Sequence, residues 1–234
     1  MPTKRQRNAR QGAPANRRQT LLALLALLVG LGALIAWDQD GPDLWGWLRD
    51  LTQGRVAVAV GKRAGIVAGH WGNDSGAVCP DGLTEAQVNL AIAQRVATRL
   101  QRAGAEVDLL EEFDSRLAGY QADVFISIHA DSCQVKMSGF KVARVSESAV
   151  PQAEDRLVEC LWTRYEWATG LARHENTITY DMWEYHAFRE IAPQTPAAII
   201  ETGFLGGDRR LLEKNPDRAA RGIADAVLCF WAEE

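Results

Sequence analysis

The chain has 234 residues, 47% of them apolar and 24% charged. These are the proportions of a globular protein with a sizeable core and room for an appendage, not of a disordered chain. The formal net charge of −4 hides an asymmetry: Lys4, Arg5, Arg7, Arg10, Arg17 and Arg18 stand in the first eighteen residues with no acid among them, so the remainder is distinctly acidic. That excludes a nucleic-acid-binding globular domain, which needs a basic footprint.

After the basic tail (1–19), residues 20–37 read TLLALLALLVGLGALIAW without a charge. As a helix this run spans roughly 27 Å at ~1.5 Å per residue, close to the ~30 Å hydrocarbon core of a bilayer. The basic flank before it, with Asp38 and Asp40 after it, fits the positive-inside rule, placing the N-terminus in the cytoplasm and the rest outside. The run has no polar face, unlike a core helix. A cleaved signal peptide, giving a secreted protein, is the rival reading. Trp37, Trp45 and Trp47 cluster beyond the run, so residues 38–54 read as a juxtamembrane linker near the headgroups, or as a packed first helix of the domain.

From residue 55 to 234 the pattern alternates between strands and helices. RVAVAV (55–60) and GIVAGH (65–70) read as strands around a turn at Gly61 to Ala64. Leu83, Val88, Ile92, Val96 and Leu100 predict a helix over 83–103, stopped by Gly104. EVDLL (106–110), VFISIH (124–129) and GFKVARV (139–145) follow as strands, then a helix over 152–171. AAIIE (197–201) is a buried strand after Pro193 and Pro196, and a helix over 217–231 closes the chain. This alternation predicts an α/β domain with a mostly parallel, twisted sheet of about six strands and helices on both faces.

In such sheets ligands gather at the carboxyl ends of the strands. Three apolar strands end there in a titratable residue: His70, His129 and Glu201. Glu85 stands in the first turn of the helix after the His70 loop, where the helix dipole favours an acid in any case. Two imidazoles and a carboxylate, with a position left for water, form the ligand set of a catalytic zinc. An unligated carboxylate beside them can move the water's proton.

At this point the motifs carry a resemblance. AGHWGNDSGA (68–77), LTEAQVNLAIAQRVATRL (83–100), VFISIHADS (124–132), SGFKV (138–142) and AAIIETGFLGGDRRLL (197–212) resemble, in the same order, those of the zinc-dependent N-acetylmuramoyl-L-alanine amidases of the Amidase_3 family. The resemblance implies zinc ligands at His70, Glu85 and His129 and a catalytic glutamate at Glu201. The implied reaction is hydrolysis of the amide between N-acetylmuramic acid and the L-alanine of the peptidoglycan stem. The substrate is then peptidoglycan or a muropeptide, met by an extracytoplasmic domain tethered to a bacterial membrane; an activating partner is not legible. The chain departs from the family at Val67-Ala68 (usually Asp-Pro), at Trp71 (usually glycine), at Asp131 (usually asparagine) and at Gly206-Gly207, without losing a ligand. A zinc peptidase acting on stem peptides and a catalytically silent wall-binding protein are the alternatives.

Several residues keep two readings. Trp71 stacks on substrate or packs its own loop. His174 and His186 lie in a region able to fold over the cleft, as oxyanion or product contacts or as bystanders. Arg173 and Arg189 meet stem-peptide carboxylates or are simply solvated. Asp131 supports the site from behind or opens a loop. The four cysteines are even in number, in an oxidising compartment. Cys79 follows the His70 loop and Cys133 the His129 strand, so a disulfide between them is expected. Cys160 and Cys229 form a second pair or stay buried thiols, and a cysteine ligand to zinc is a third option.

Overall fold

The computed structural model describes residues 58–233. The basic tail, the apolar run over 20–37, the linker over 38–54 and residues 55–57 lie outside the described residues. Among those described, no helix is long and apolar enough to cross a membrane.

Five strands form one sheet: β1 (Arg63–Ala68), β2 (Glu106–Leu110), β3 (Val124–Asp131), β4 (Lys141–Ala143) and β5 (Ala197–Phe204), in the order β2-β1-β3-β5-β4. The first three neighbouring pairs run parallel, and the short β4 closes the edge antiparallel to β5. The expected count of six was one too many. Val58 and Ala59 are helical and Val60 lies in a turn, although RVAVAV alternates like a strand. The sheet has no place for it: β2 and β3 already take both edges of β1, which is where a neighbouring strand would have paired.

The helices are α1 (Glu85–Arg102), α2 (Pro151–Thr169), α3 (Tyr180–Trp183), α4 (Ala187–Glu190), α5 (Arg209–Leu212) and α6 (Pro216–Ala232). A capping box starts α1. The Thr84 hydroxyl accepts from the Gln87 N–H (3.3 Å), and the Gln87 side chain accepts from the Thr84 N–H (3.2 Å). This fixes Glu85 in the first turn, and Gly104, at φ 99°, ends the helix.

Side chains alternate across the sheet with a period of two. Ala64, Ile66, Ile126, Ile128, Ala198 and Ile200 face a large core built with α1, α2 and α6. Val67, Phe125, Ala197 and Ile199 face a smaller cluster with Tyr120, Met182, Tyr185 and Ala187. Helices thus cover both faces unequally: three long ones on one side, the short α3 and α4 on the other. His129 and Glu201 belong to the same alternating set as Phe125 and Ile199, and so stand on the α3–α4 face at the carboxyl end of the sheet.

Candidate active site

β1 stops at Ala68, two residues before its expected end. The Gly69 N–H still donates to the Ile128 carbonyl (2.9 Å), and then the chain turns. His70 sits in that turn with φ 65°, a left-handed backbone that only a few per cent of non-glycine residues adopt. Its N–H donates to Glu112 Oε2 at 2.6 Å. Glycine is required just before it, because a Cβ at Gly69 would come within 2.3 Å of the His129 ring. His129 itself stays inside β3, buried, and lies in register with Glu201 of β5.

Three side chains converge. Glu85 Oε1 lies 3.3 Å from His70 Nε2 and 3.2 Å from His129 Nδ1. One ligand atom from each of the three residues falls within 4.8 Å of the others. The two rings meet edge to face at 5.2 Å. Asn89 donates to Glu85 Oε1 (3.3 Å) and to the Gly69 carbonyl (3.1 Å), while the Ala77 N–H donates to Glu85 Oε2 (3.1 Å). At Gly76, φ 59°, a Cβ would approach Glu85 Oε2 to 2.6 Å and His70 Cδ2 to 2.7 Å, so glycine keeps this side of the cluster open. Two imidazole nitrogens and a carboxylate oxygen, held this way, fit a catalytic zinc.

The protonation states follow from the packing. His70 is raised to about 9, chiefly by its hydrogen bond to Glu85, against the opposing effect of burial. Burial alone would raise Glu85, but hydrogen bonds from His129 and His70 outweigh it and hold the group well below the ordinary carboxylate range. Glu201 goes the other way. Burial pushes it up to about 7 against the pull of His129, with Glu85 adding to the rise. Its Oε2 is buried without a hydrogen-bond partner, an acceptor kept free.

The profile of the family described as Amidase_3, N-acetylmuramoyl-L-alanine amidase, matches residues 65–229. The chain belongs to the Amidase_3 family. It is an amidase directed at peptidoglycan. The protein YqiI of Bacillus subtilis (strain 168) is 30% identical over 192 residues, covering 73% of this chain and 85% of that one. The N-acetylmuramoyl-L-alanine amidase LytC of the same organism is 28% identical over 186 residues, covering 74% of this chain but 36% of LytC. In structure, the catalytic domain of the amidase CwlV from Bacillus (Paenibacillus) polymyxa var. colistinus matches with a TM-score of 0.55 at 28% identity, over 71% of this chain and 96% of that one.

Around the His70–Glu85–His129 cluster the remaining candidates separate. His186 reaches Glu112 Oε1 (2.9 Å) through Nε2 and Glu190 (2.8 Å) through Nδ1, and its ring stacks on the exposed Phe113 at 4.2 Å. His174 turns instead to the Thr177 hydroxyl (2.6 Å) and packs edge-on against Phe204. Trp71 is partly buried against the large core. Asp131 binds Lys141 Nζ (2.5 Å), a buried ammonium that also donates to the Thr177 carbonyl (3.2 Å). Arg173 and Arg189 pair with Glu166 and Glu184. Disulfides join Cys79 to Cys133 and Cys160 to Cys229, which leaves no described cysteine free as a ligand.

Sequence reasoning missed Glu112. It is 5% exposed, and His70, Tyr185 and His186 all donate to it. Hydrogen bonding from His186 and the charge of His129 outweigh burial and lower it to about 2. The signal was present: Glu112 lies just past the carboxyl end of β2, the same position in the topology that flagged His70. Asp74, whose Oδ1 lies 2.6 Å from His70 Nδ1, and Tyr185, edge-on to His129 at 5.4 Å, were missed for a different reason. Neither ends a strand, and only the folded loops bring them near.

Proposed function

We propose that the chain is a membrane-tethered, extracytoplasmic zinc amidase that cleaves the bond between N-acetylmuramic acid and L-alanine. The observation that carries the zinc reading is the convergence of His70 Nε2, Glu85 Oε1 and His129 Nδ1 beside the half-buried Glu201, whose Oε2 is buried without a hydrogen-bond partner. His70, Glu85 and His129 would hold the ion. Zinc at such a site supplies a Lewis acid for the amide carbonyl and lowers the pKa of a water.

Glu201 takes the proton from the attacking water and delivers it to the leaving amide nitrogen as the C–N bond breaks. The products are the muramoyl carboxylate and the free amine of L-alanine. A raised pKa suits this shuttle, since the group must accept and release a proton near neutral pH. Phe113 and His186, stacked at the rim, offer a face to a sugar or a stem peptide. The uncharged run over 20–37, with its basic flank, supports the anchor and the outward orientation of the domain.

The test uses purified full chain and defined muropeptides. Wild type carries about one zinc per chain, and His129→Ala loses it. Glu201→Gln keeps its zinc while turnover falls by roughly 10²–10⁴-fold, the usual worth of a positioned acid–base group. Release of free stem peptide with an intact N-terminal alanine is the expected product. A shortened peptide still attached to the sugar would make the chain a peptidase instead.

A further inference from the structure

We infer that Glu112 positions both imidazoles of the metal site, holding the backbone of His70 and the ring of His129, and so governs its affinity for zinc. The inference rests on the zinc reading above. One carboxylate reaches three parts of the fold. Its Oε2 accepts from the His70 N–H at 2.6 Å and lies 3.6 Å from His129 Nε2. Its Oε1 accepts from the Tyr185 hydroxyl at 3.0 Å and from His186 Nε2 at 2.9 Å. Its own N–H donates to the Trp71 carbonyl at 3.0 Å, fastening the end of β2 to the turn that carries His70.

Two features call for such a group. His70 adopts a left-handed backbone that a side chain disfavours, and its N–H is fixed by a charged acceptor. His129 presents Nδ1 to Glu85, so a neutral ring ligating through Nδ1 keeps its proton on Nε2. That Nε2 is buried and makes no hydrogen bond, and the acid beside it is Glu112. An outer carboxylate that takes the second N–H of a ligating imidazole fixes its tautomer and orientation. Asp74 stands in that place for His70, at 2.6 Å from Nδ1, but exposed. For His129 the carboxylate so placed, 3.6 Å from Nε2 and within the core, is Glu112. Tyr185 and His186 occupy its other oxygen and keep the carboxylate from rotating away.

The full chain in detergent is titrated with zinc against a chromogenic chelator, as wild type, Glu112→Gln and Tyr185→Phe. Metal-free melting and the absorption spectrum of the cobalt-substituted protein are recorded alongside. Glu112→Gln keeps the shape but loses the charge, and should bind zinc roughly 10–100-fold more weakly, with a shifted cobalt spectrum. Tyr185→Phe removes one donor to Glu112 and should lose several-fold. Equal zinc affinity in wild type and a folded Glu112→Gln would overturn the inference while leaving the zinc site standing. Should Glu112→Gln not fold, unchanged affinity in Tyr185→Phe overturns it in the same way. Wild type that takes up no zinc removes both readings.

Discussion

Glu201, proposed above as the proton shuttle, is costly to the fold. In the metal-free protein burial raises it from 4.5 to about 7. Between those values the native state holds a proton that the unfolded chain has released, so stability falls as pH rises through that window. Glu201→Gln removes this dependence. Metal-free wild type should lose up to about 3 kcal/mol relative to Glu201→Gln between pH 4.5 and 8. Urea unfolding at the two pH values measures the difference, and parallel pH profiles would refute it. Glu85 and Glu112 act with the opposite sign. Their pKa values are depressed, so their stabilisation is present above the unfolded value and is lost as pH falls. At this scale the sequence revealed His70, His129 and Glu201 by their place toward the carboxyl ends of apolar strands, although His70 stands in the turn after β1 and the other two lie inside β3 and β5. It placed Glu112 just past the carboxyl end of β2 but could not single it out, because nothing local distinguishes a buried acid from its exposed neighbour Glu111.

Among the elements, the apolar strands and long helices were legible because each carries its own periodicity. α3 and α4, four residues each, carry no period to read. RVAVAV misled because alternation shows that a segment suits a sheet, not that a sheet edge is free for it. The Cys79–Cys133 disulfide ties the loop after His70 to the segment after β3, across 54 residues of chain. Loop-closure entropy for that span amounts to about 4 kcal/mol. Replacing both cysteines with serine should lower the melting temperature and, on the proposed zinc site, also weaken zinc binding, because His70 and His129 sit on the joined segments. A drop in melting temperature with unchanged zinc affinity would mean that the bridge supports the fold and not the site. Calorimetry together with the chelator titration separates these outcomes.

For the whole molecule, the charge asymmetry and the apolar run lead to a prediction about placement. The full chain should stay with the membrane through alkaline carbonate extraction, whereas deletion of residues 20–37 releases it. A protease added outside spheroplasts should reach the domain and not the basic tail. Recovery of the full chain in the soluble fraction, lacking its first residues, would favour the cleaved leader.

By itself the sequence determined the class of the domain, the long elements, and three strands that deliver His70, His129 and Glu201 to one edge. These properties are written in periodicity and in the order of elements, both local along the chain. Only the tertiary structure decided the number of strands, which nitrogens of the two imidazoles meet Glu85, and which face of the sheet carries the site. It also decided that Glu112 stands behind both histidines. Such facts depend on packing between segments remote in sequence, 42 residues apart for His70 and Glu112, and no local pattern encodes a distance across the fold.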